Sequence, residues 1–384
     1  MAFAADARRA ARMSISEKLL HLNWLLVVLL IAIACTGFAM LYSASSGSLE
    51  PWARPQIVRF SAGLAMALVV ALIDVRLWLR WAYPIYLLSL ALLVSVEFIG
   101  TVGMGAQRWI SLGFVRLQPS EVTKIATILA LARYFHSTTL EDVRRPLYLV
   151  VPVALVAVPA ALVLRQPDLG TAGILLLVAA CVFFLAGVRI WKFVALGVAA
   201  VSAVPFVWQA LHGYQKQRIL TFLNPESDPL GAGYHILQSK IALGSGGVFG
   251  KGYLHGTQSH LNFVPEKQTD FIFTMLAEEL GIVGGLALIA LYLLVVALGY
   301  AIALRSQNQF GRLLALGVTA NFFLSVFINI AMVMGLIPVV GVPLPLISYG
   351  GTSMLSLLFG FGLILSVSIH RDVEISKRWA VTGF

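Results

Sequence analysis

Long apolar runs alternate with short polar stretches along nearly the whole chain. A helix needs about 20 apolar residues to cross the hydrocarbon of a bilayer, and about ten runs approach that length. The runs are 22–44, 56–73, 82–98, 119–135, 147–164, 170–188, 193–211, 271–304, 313–335 and 351–369. The pattern therefore predicts an all-α integral membrane protein, with about ten transmembrane helices in a single polytopic domain covering residues 1–384.

One polar interruption, 212–270, is far longer than the usual connection of about 2 to 8 residues between packed helices. It contains many aromatic and aliphatic residues, Tyr214, Phe249 and Tyr253 among them, which is enough apolar surface to pack against something. We predict that this loop, between the seventh and eighth spans, folds over a cavity in the membrane domain. The eighth run is long, and we expect Gly281 and its neighbouring glycines to bend it.

The composition excludes a soluble globular protein. The 384 residues are 59% hydrophobic and 11% charged, with a mean hydropathy of +0.90, whereas soluble domains have a charged fraction of about 25%. The net charge of +10 does not indicate nucleic acid, because the basic residues form short clusters between apolar runs. Cys35 and Cys181 lie inside apolar runs and lack the spacing of a disulfide framework or a zinc site.

The basic clusters predict the orientation of the chain in the membrane. Most of the 27 Lys and Arg residues fall on one side if the N-terminus is cytoplasmic, as the positive-inside rule requires. The N-terminal segment 1–21 and the C-terminal segment 370–384 are then cytoplasmic, and the loop 212–270 is extracytoplasmic. The polar segments 105–109, 118–121, 166–170 and 342–352 share the outer side with that loop, so we expect the function to face outward.

Glu121 and Lys124 lie three residues apart at the start of the fourth span and share one face of a helix. Ionisable groups at membrane depth are costly, and they line a cavity or pair with each other. The pair is either a structural ion pair or the wall of a ligand site, in which Lys124 and Arg108 face an anion. Arg108, next to Trp109, is equally compatible with an interfacial anchor.

Two aspartates each have a capping and a functional interpretation. Asp168 precedes the sixth span, where an N-cap is expected, although a cap on a cavity wall can also bind a ligand. Asp270 opens the eighth span, and Asp270, Thr274 and Glu278 recur at four-residue spacing. A carboxylate at the water–membrane boundary could act as a general base for a hydroxyl group or cap the helix; the residues alone leave both open.

Other polar features have simpler interpretations. Asn321, Ser325 and Asn329 form a polar stripe on the ninth span, for which we expect hydrogen bonds between helices. The glycine-rich segment 244–252 resembles a phosphate-binding loop but has Gly252 where that motif needs Ser or Thr, so we interpret it as a flexible loop. Arg218, Glu266 and Lys267 are expected to be solvated, unless for Arg218 the loop folds back over the cavity.

Several of these segments together resemble one family, the SEDS (shape, elongation, division and sporulation) proteins. The motifs that carry the resemblance are Gln107-Arg-Trp109, Gln118-Pro-Ser-Glu121, Gln166-Pro-Asp-Leu-Gly-Thr171, Phe263-Val-Pro-Glu-Lys-Gln-Thr-Asp-Phe-Ile-Phe273, Ala277-Glu-Glu-Leu-Gly281 and Pro343-Leu-Pro-Leu-Ile-Ser-Tyr-Gly-Gly351. They extend over nearly the whole chain. The segment 339–345 resembles the elongation branch, RodA, more than the division branch, FtsW.

The resemblance implies a peptidoglycan glycosyltransferase that polymerises lipid II, a disaccharide-pentapeptide on undecaprenyl diphosphate, with inversion at the anomeric carbon. The family's essential aspartate falls on Asp270, interpreted as the general base. Arg108, Lys124 and Arg218 are candidates to bind the diphosphate, and Glu121 would orient Lys124. Asp168 and Ser348 complete the expected substrate-binding set. No cofactor is required by the sequence; a divalent cation, Mg²⁺ or Mn²⁺, could assist, but one loop aspartate does not predict a dedicated metal site.

The resemblance also implies a setting and partners. These are the bacterial cytoplasmic membrane, an active site on its outer face, the cell-elongation complex and a class B penicillin-binding protein that cross-links the strands. Other functions remain as alternatives, although a small-solute transporter is disfavoured because the sequence shows no internal repeat. A flippase for the lipid-linked precursor would use the same polar groups without making a bond, the septal member of the family would act in division, and a scaffold would leave the outward polar cluster unexplained.

Overall fold

The computed structural model describes residues 13–103, 106–111, 113, 116–210, 213–224, 232–260 and 266–375. Most of them are helical. The helices, numbered in chain order, are α1 Ile15–Leu20, α2 Trp24–Ala44, α3 Ala53–Leu72, α4 Val75–Ile99, α5 Pro119–Ser137, α6 Leu140–Arg144, α7 Val150–Arg165, α8 Leu169–Leu185, α9 Ile190–Ala210, α10 Gly213–Leu223, α11 Ala232–Ser245, α12 Thr257–His260, α13 Ile272–Arg305, α14 Gln309–Val333 and α15 Gly351–Ile369.

Each of the ten predicted apolar runs coincides with a helix. Within the described residues, seven helical segments are long and apolar enough to cross a membrane: α2, α3, α4, α7 with its preceding turn, α13, α14 and α15. The apolar segments Leu169–Leu185 and Ile190–Phe206 are shorter. Helix α5 is not among the seven because it carries Glu121, Lys124 and Arg133, and it lies in the interior instead.

The all-α prediction is wrong at the connection between α4 and α5. Three short antiparallel strands form a sheet there: β1 Thr101–Gly103, β2 Ala106–Ser111 and β3 Arg116–Leu117. Thr101 pairs with Trp109, and Ile110 pairs with Leu117. Strands this short have no clear alternation of apolar and polar residues, so their pairing depends on the helices that hold their ends.

The core surrounds α5, which is buried along almost its whole length despite its charged residues. Helices α14 and α15 are also largely buried, and Phe322 of α14 meets Phe361 of α15 with ring centroids 5.1 Å apart. By contrast, α9 exposes large apolar side chains such as Leu196 and Val201. Exposed apolar faces around a packed interior are the arrangement expected where lipid replaces water as the solvent.

Helix α13 is broken at Gly281, as the sequence predicts. Gly281 adopts φ 69° and ψ −166° within the helix, a conformation that is accessible almost only to glycine. The absence of a side chain also matters for packing, because a Cβ at this position would lie 2.4 Å from both the Gly250 nitrogen and the Val248 oxygen.

The segment 246–252 fills the break, so the prediction that this glycine-rich stretch is a flexible loop is wrong. The amide of Lys251 donates to the Glu278 carbonyl at 3.0 Å, and the amide of Ile282 donates to the Gly247 carbonyl at 3.0 Å. The glycines are present because backbone packs directly on backbone here. The glycines therefore allow the long loop to pack against α13, and they do not form a phosphate-binding loop.

Replacing Gly281 with alanine should destabilise the protein by about 1–3 kcal/mol, from backbone strain alone, with the clash against segment 246–252 adding to it. Gly285→Ala is the matched control, because it lies in the same helix and its nearest neighbour would be Phe273 Cζ at an ordinary 3.6 Å. Thermal unfolding of the two variants in detergent measures the difference. Equal midpoints for both variants would mean that the break does not depend on glycine.

Candidate functional site

Asp270 lies in a turn that precedes α13, not in the helix itself. The turn is closed by the amide of Thr269, which donates to the Glu266 carbonyl at 3.0 Å. The helix begins at Ile272, and its N-cap is Phe271, which makes no side-chain capping bond. The N-cap position therefore belongs to Phe271 and not to Asp270, so the capping interpretation of Asp270 is wrong, and Asp270 is half-buried.

The predicted polar face of Asp270, Thr274 and Glu278 does not form as one surface. Thr274 and Glu278 are fully buried. The Thr274 hydroxyl is 2.9 Å from that of Ser239, and Glu278 forms an ion pair with Lys251 at 2.8 Å. These two residues attach the long loop to α13, while Asp270 lies directly before the N-cap residue Phe271, outside the helix.

Side chains from α14 and from the segment 341–349 hold the Asp270 turn in place. The Nδ2 of Asn329 donates to the Asp270 carbonyl at 2.9 Å and to the Val342 carbonyl at 2.7 Å. The hydroxyl of Ser348 donates to the Thr269 carbonyl at 2.5 Å and accepts from the Leu344 amide at 2.7 Å. Ser348, predicted to bind substrate, is thus placed as a support for the turn.

A cavity lies beside this turn, with an empty volume of about 630 Å³ that includes open solvent. Its lining consists of Gln118, Glu121, Lys124, Thr171, Ile174, Asn321, Ser325, residues 341–346, Ser348, Ser353, Met354, Ser356 and Leu357. Gly341 connects the cavity to the turn, because a Cβ on it would lie 3.5 Å from Asp270 Oδ2. The carboxylate and the cavity are therefore adjacent.

Glu121 and Lys124 form a buried ion pair in the cavity wall, with 2.9 Å between Oε1 and Nζ. The hydroxyl of Ser356 lies 3.5 Å from the other carboxylate oxygen of Glu121. The prediction that Glu121 orients Lys124 agrees with this geometry. The interpretation as a structural ion pair is confirmed, and the pair lines a cavity, while the binding of an anion by Lys124 stays a prediction.

Asp168 and Arg108 lie next to the cavity rather than in its lining. Asp168 caps α8, accepting from the Thr171 amide at 3.1 Å, which confirms the capping interpretation. It also accepts from the Gln118 side chain at 3.3 Å. Arg108 donates to the carbonyls of Gln166, at 3.0 Å, and Pro167. Arg108 therefore fixes the approach to α8, and Gln118 links that approach to the cavity.

The polar stripe on α14 faces the cavity and the loops. The described hydrogen bonds of its side chains go to loop carbonyls or stay within α14, so the expectation of bonds between helices is wrong for them. Asn329 donates to the two loop carbonyls described above, and Ser325 donates to the Asn321 carbonyl of its own helix at 2.8 Å. Asn321 is 4% exposed. Within the part of the chain that the structure describes, its Oδ1 has no hydrogen-bond partner.

Two further residues beside the site, Gln56 and Arg59, were missed by the sequence analysis. The buried amide of Gln56 donates to the Ser348 carbonyl at 2.8 Å. The guanidinium of Arg59 lies over the ring of Tyr349, 4.9 Å from its centroid. Both are polar residues in the first four positions of the second apolar run, and a polar side chain at the start of a membrane span is the signal that could have identified them.

The remaining predictions concern the long loop. Lys267 is buried, so the prediction that it is solvated is wrong, and burial lowers the pKa of its ammonium group. Glu266 is exposed, as expected. Arg218 lies in α10, and its side chain falls outside the described residues. The part of the chain that the structure describes contains no group of three His, Cys, Asp or Glu residues that could hold a metal ion.

Comparison with known proteins identifies the family. A model of the FtsW, RodA and SpoVE cell cycle proteins matches residues 22–373. The chain belongs to this family. It is 47% identical over 357 residues to the peptidoglycan glycosyltransferase MrdB of Escherichia coli K12, covering 92% of this chain and 95% of that protein. It is 39% identical over 367 residues to a probable peptidoglycan glycosyltransferase FtsW of Trichlorobacter lovleyi, covering 91% and 94%.

Solved structures share the fold. A chain from a peptidoglycan synthase complex, described as coordinating polymerization and crosslinking, superposes with a TM-score of 0.80 at 33% identity, covering 92% of this chain and 99% of its own. The rod shape determining protein RodA of Thermus thermophilus gives a TM-score of 0.70 at 30% identity, covering 92% and 98%. This chain is accordingly a multi-pass membrane protein with the RodA fold.

Removing one partner of the Glu121–Lys124 pair should cost about 3–5 kcal/mol, because Glu121→Ala leaves a buried ammonium uncompensated. The double variant Glu121→Gln with Lys124→Met should recover most of that loss, since neutral side chains of similar size replace both charges. Thermal unfolding in detergent separates the two. If Glu121→Ala unfolds at the wild-type temperature, the ion pair is not a buried unit.

Proposed function

We propose that this chain polymerises lipid II into β-1,4-linked glycan strands, with Asp270 as the general base. The enzyme class follows from family membership and from the extent of the identity to MrdB: the chain is a peptidoglycan glycosyltransferase. The identity is higher to MrdB, at 47%, than to the division protein FtsW, at 39%. Cell-wall elongation and the maintenance of cell shape are therefore its favoured role.

The observation that supports Asp270 most strongly is the way its turn is held. A general base must be placed within hydrogen-bond reach of the proton it removes. Asn329 and Ser348 fix the backbone of Asp270 and Thr269 from outside the turn, while the carboxylate lies beside Gly341 at the cavity. This is the arrangement expected of a reactive side chain whose position is set by its supports.

In the proposed reaction, the carboxylate of Asp270 takes the proton of the acceptor's GlcNAc 4-hydroxyl. The oxygen attacks the anomeric carbon of the donor, and the bond to the undecaprenyl diphosphate breaks on the opposite face. A single displacement of this kind inverts the anomeric configuration. The proton transfer contributes about 10²–10⁴ in rate, and holding the two lipid-anchored reactants together contributes further.

Positive charge near the leaving diphosphate would stabilise the transition state. Lys124 is placed for this role, because it lies in the cavity wall and Glu121 holds its ammonium. We add Arg59, whose guanidinium stands over Tyr349 beside the lining segment. Arg108 and Asp168 act by positioning the approach to α8, and Arg218 remains a candidate from the loop.

A divalent cation, Mg²⁺ or Mn²⁺, belongs to the proposal only as a companion of the substrate diphosphate. Oxygen ligands and several waters suit these ions, which often bind through substrate phosphates rather than in all-protein cages. We therefore propose no resident metal site in the chain and assign no step of the reaction to a metal.

The proposal also covers the orientation of the chain in the membrane and its protein partner. We place the Asp270 turn and its cavity on the outer face of the bacterial cytoplasmic membrane, with both termini inside, because the Lys and Arg distribution favours it. We propose a class B penicillin-binding protein as the partner. This choice of partner is supported by the similarity to a chain from a peptidoglycan synthase complex that coordinates polymerization and crosslinking.

Asp270→Asn should reduce polymerisation of purified lipid II at least 100-fold, because the amide keeps the size of the side chain but cannot take the proton. The matched control is Glu266→Gln, which removes an exposed carboxylate from the same turn and should leave most of the activity. Gel separation of the glycan products, made with the partner present, measures both.

Equal polymerisation by Asp270→Asn and wild type would reject the base assignment. If the folded wild-type protein makes no polymer together with its partner, the proposal that it polymerises lipid II is rejected. The flippase alternative is then favoured.

Asn321→Leu should weaken substrate use without weakening the fold. Asn321 lines the cavity and its buried Oδ1 has no partner among the described residues, so we propose that it accepts a hydrogen bond from substrate. Loss of one neutral hydrogen bond predicts a KM for lipid II that rises about two- to tenfold, with the unfolding temperature unchanged or higher. Ser325→Ala is the control, because that hydroxyl already bonds within α14. An unchanged KM in Asn321→Leu would remove Asn321 from the substrate site.

A further inference from the structure

A second cavity lies at the end of the bundle opposite Asp270, separated from it by the 34 residues of α13. Its empty volume is about 390 Å³, again including open solvent. The lining is His21, Asn23, Ile302, Arg305, Ser368 and Arg371. We call it the basic-end cavity. Neither the proposed catalysis nor the family motifs of the sequence involve any of these residues.

Three separate parts of the chain build the basic-end cavity. His21 ends α1, Asn23 caps α2, and Arg305 is the last residue of α13. The tail after α15 is held to the α13–α14 connection, because the Gln307 amide donates to the Arg371 carbonyl at 2.9 Å and Asn308 donates to the Val373 carbonyl at 3.1 Å. The basic residues therefore converge through fixed backbone contacts.

The charge of the lining is one-sided. Two guanidinium groups and an imidazole face the cavity, and the described lining contains no carboxylate. Arg371 contacts the carboxylate of Asp372 at 3.5 Å, in a pair that is largely exposed. Such pairs contribute little because water screens them.

A single arginine at a helix end has an ordinary explanation, since it balances the helix dipole and follows the positive-inside rule. Arg189, which follows α8, is an exposed residue of that kind. Arg305 and Arg371 differ from it because they meet at one cavity together with His21 and the hydroxyl of Ser368. Convergent donors of this type match the oxygens of a phosphate group.

The surroundings of the cavity are apolar. Ile302 forms part of its wall. Trp24 and Leu25 at the start of α2, and Leu304 at the end of α13, are exposed. Basic pockets between membrane helices that adjoin apolar surface are suited to the head groups of anionic lipids, whose acyl chains can lie along the helices.

We infer that the basic-end cavity binds a phosphate group, supplied by an anionic phospholipid or by a soluble phosphate ester. Arg305 and Arg371 provide the two main charge-assisted contacts. His21 and Ser368 complete the ring of donors, and the apolar rim favours the lipid source. The site is independent of the proposed glycosyl transfer.

The test uses the full-length protein in a neutral detergent and native mass spectrometry, which counts bound lipids. Phosphatidylglycerol, phosphatidylcholine and glycerol 3-phosphate are the three probes. We expect phosphatidylglycerol to be retained over phosphatidylcholine, and each of Arg305→Gln and Arg371→Gln to lower its affinity about fivefold, given a contribution of about 1 kcal/mol per basic residue. Arg189→Gln, the matched control, should bind like wild type.

Binding of glycerol 3-phosphate with the same dependence on Arg305 and Arg371, without retention of lipid, would identify a soluble ester as the source. The proposal is overturned if neither probe depends on these two arginines, or if the Arg189 variant loses as much affinity as the other two.

A second measurement covers the case in which the arginine variants fail to fold. Bromine-labelled phosphatidylglycerol should quench the fluorescence of wild-type protein more than that of Trp24→Phe, because Trp24 is exposed and directly follows Asn23 of the cavity lining. Brominated phosphatidylcholine should show a smaller difference, and added salt should reduce the phosphatidylglycerol effect. Identical quenching by the two lipids would reject a phosphate-specific anionic site.

Discussion

The side-chain amide of Asn329 is the interaction on which the candidate site depends. At membrane depth, irregular backbone persists only where its polar groups are satisfied inside the protein. The turn 266–271 and the segment 335–350 are both irregular, and Asn329 donates to one carbonyl from each. Ser348 and Gln56 extend the same network. The turn that carries Asp270 is therefore held in place by the same hydrogen bonds that satisfy its backbone carbonyls.

The charged residues in the interior are also stabilised by partners inside the protein. Lys124 is useful for an anionic substrate only if it can lie in the cavity wall, and a lone ammonium there would be costly. Glu121 offsets that cost on the same helix face, and α5 is buried around both. A structural ion pair and a cavity wall that carries charge are consequently compatible in one arrangement.

The break in α13 joins the loop to the membrane domain. Glu278 and Glu279, three and two residues before Gly281, are fully buried. Glu278 accepts from Lys251 and from the Gln258 amide, while Glu279 accepts from Ser43 of α2 and the Leu254 amide. The first turns of α13, which follow Asp270, are thereby fixed to both the loop and α2. The long loop is a packed part of the protein and contributes to the position of the site.

The sequence by itself determined the helices, the bend at Gly281 and the family, because apolar length, glycine and contiguous motifs are local properties. It also placed Asp270 near the site through its motif. Only the tertiary structure decided that Asp270 stands outside α13, that Arg108 holds residues 166 and 167, and that the segment 246–252 packs on the helix break. These depend on partners more than 25 residues away along the chain, and no local pattern specifies which carbonyl a buried side chain will satisfy.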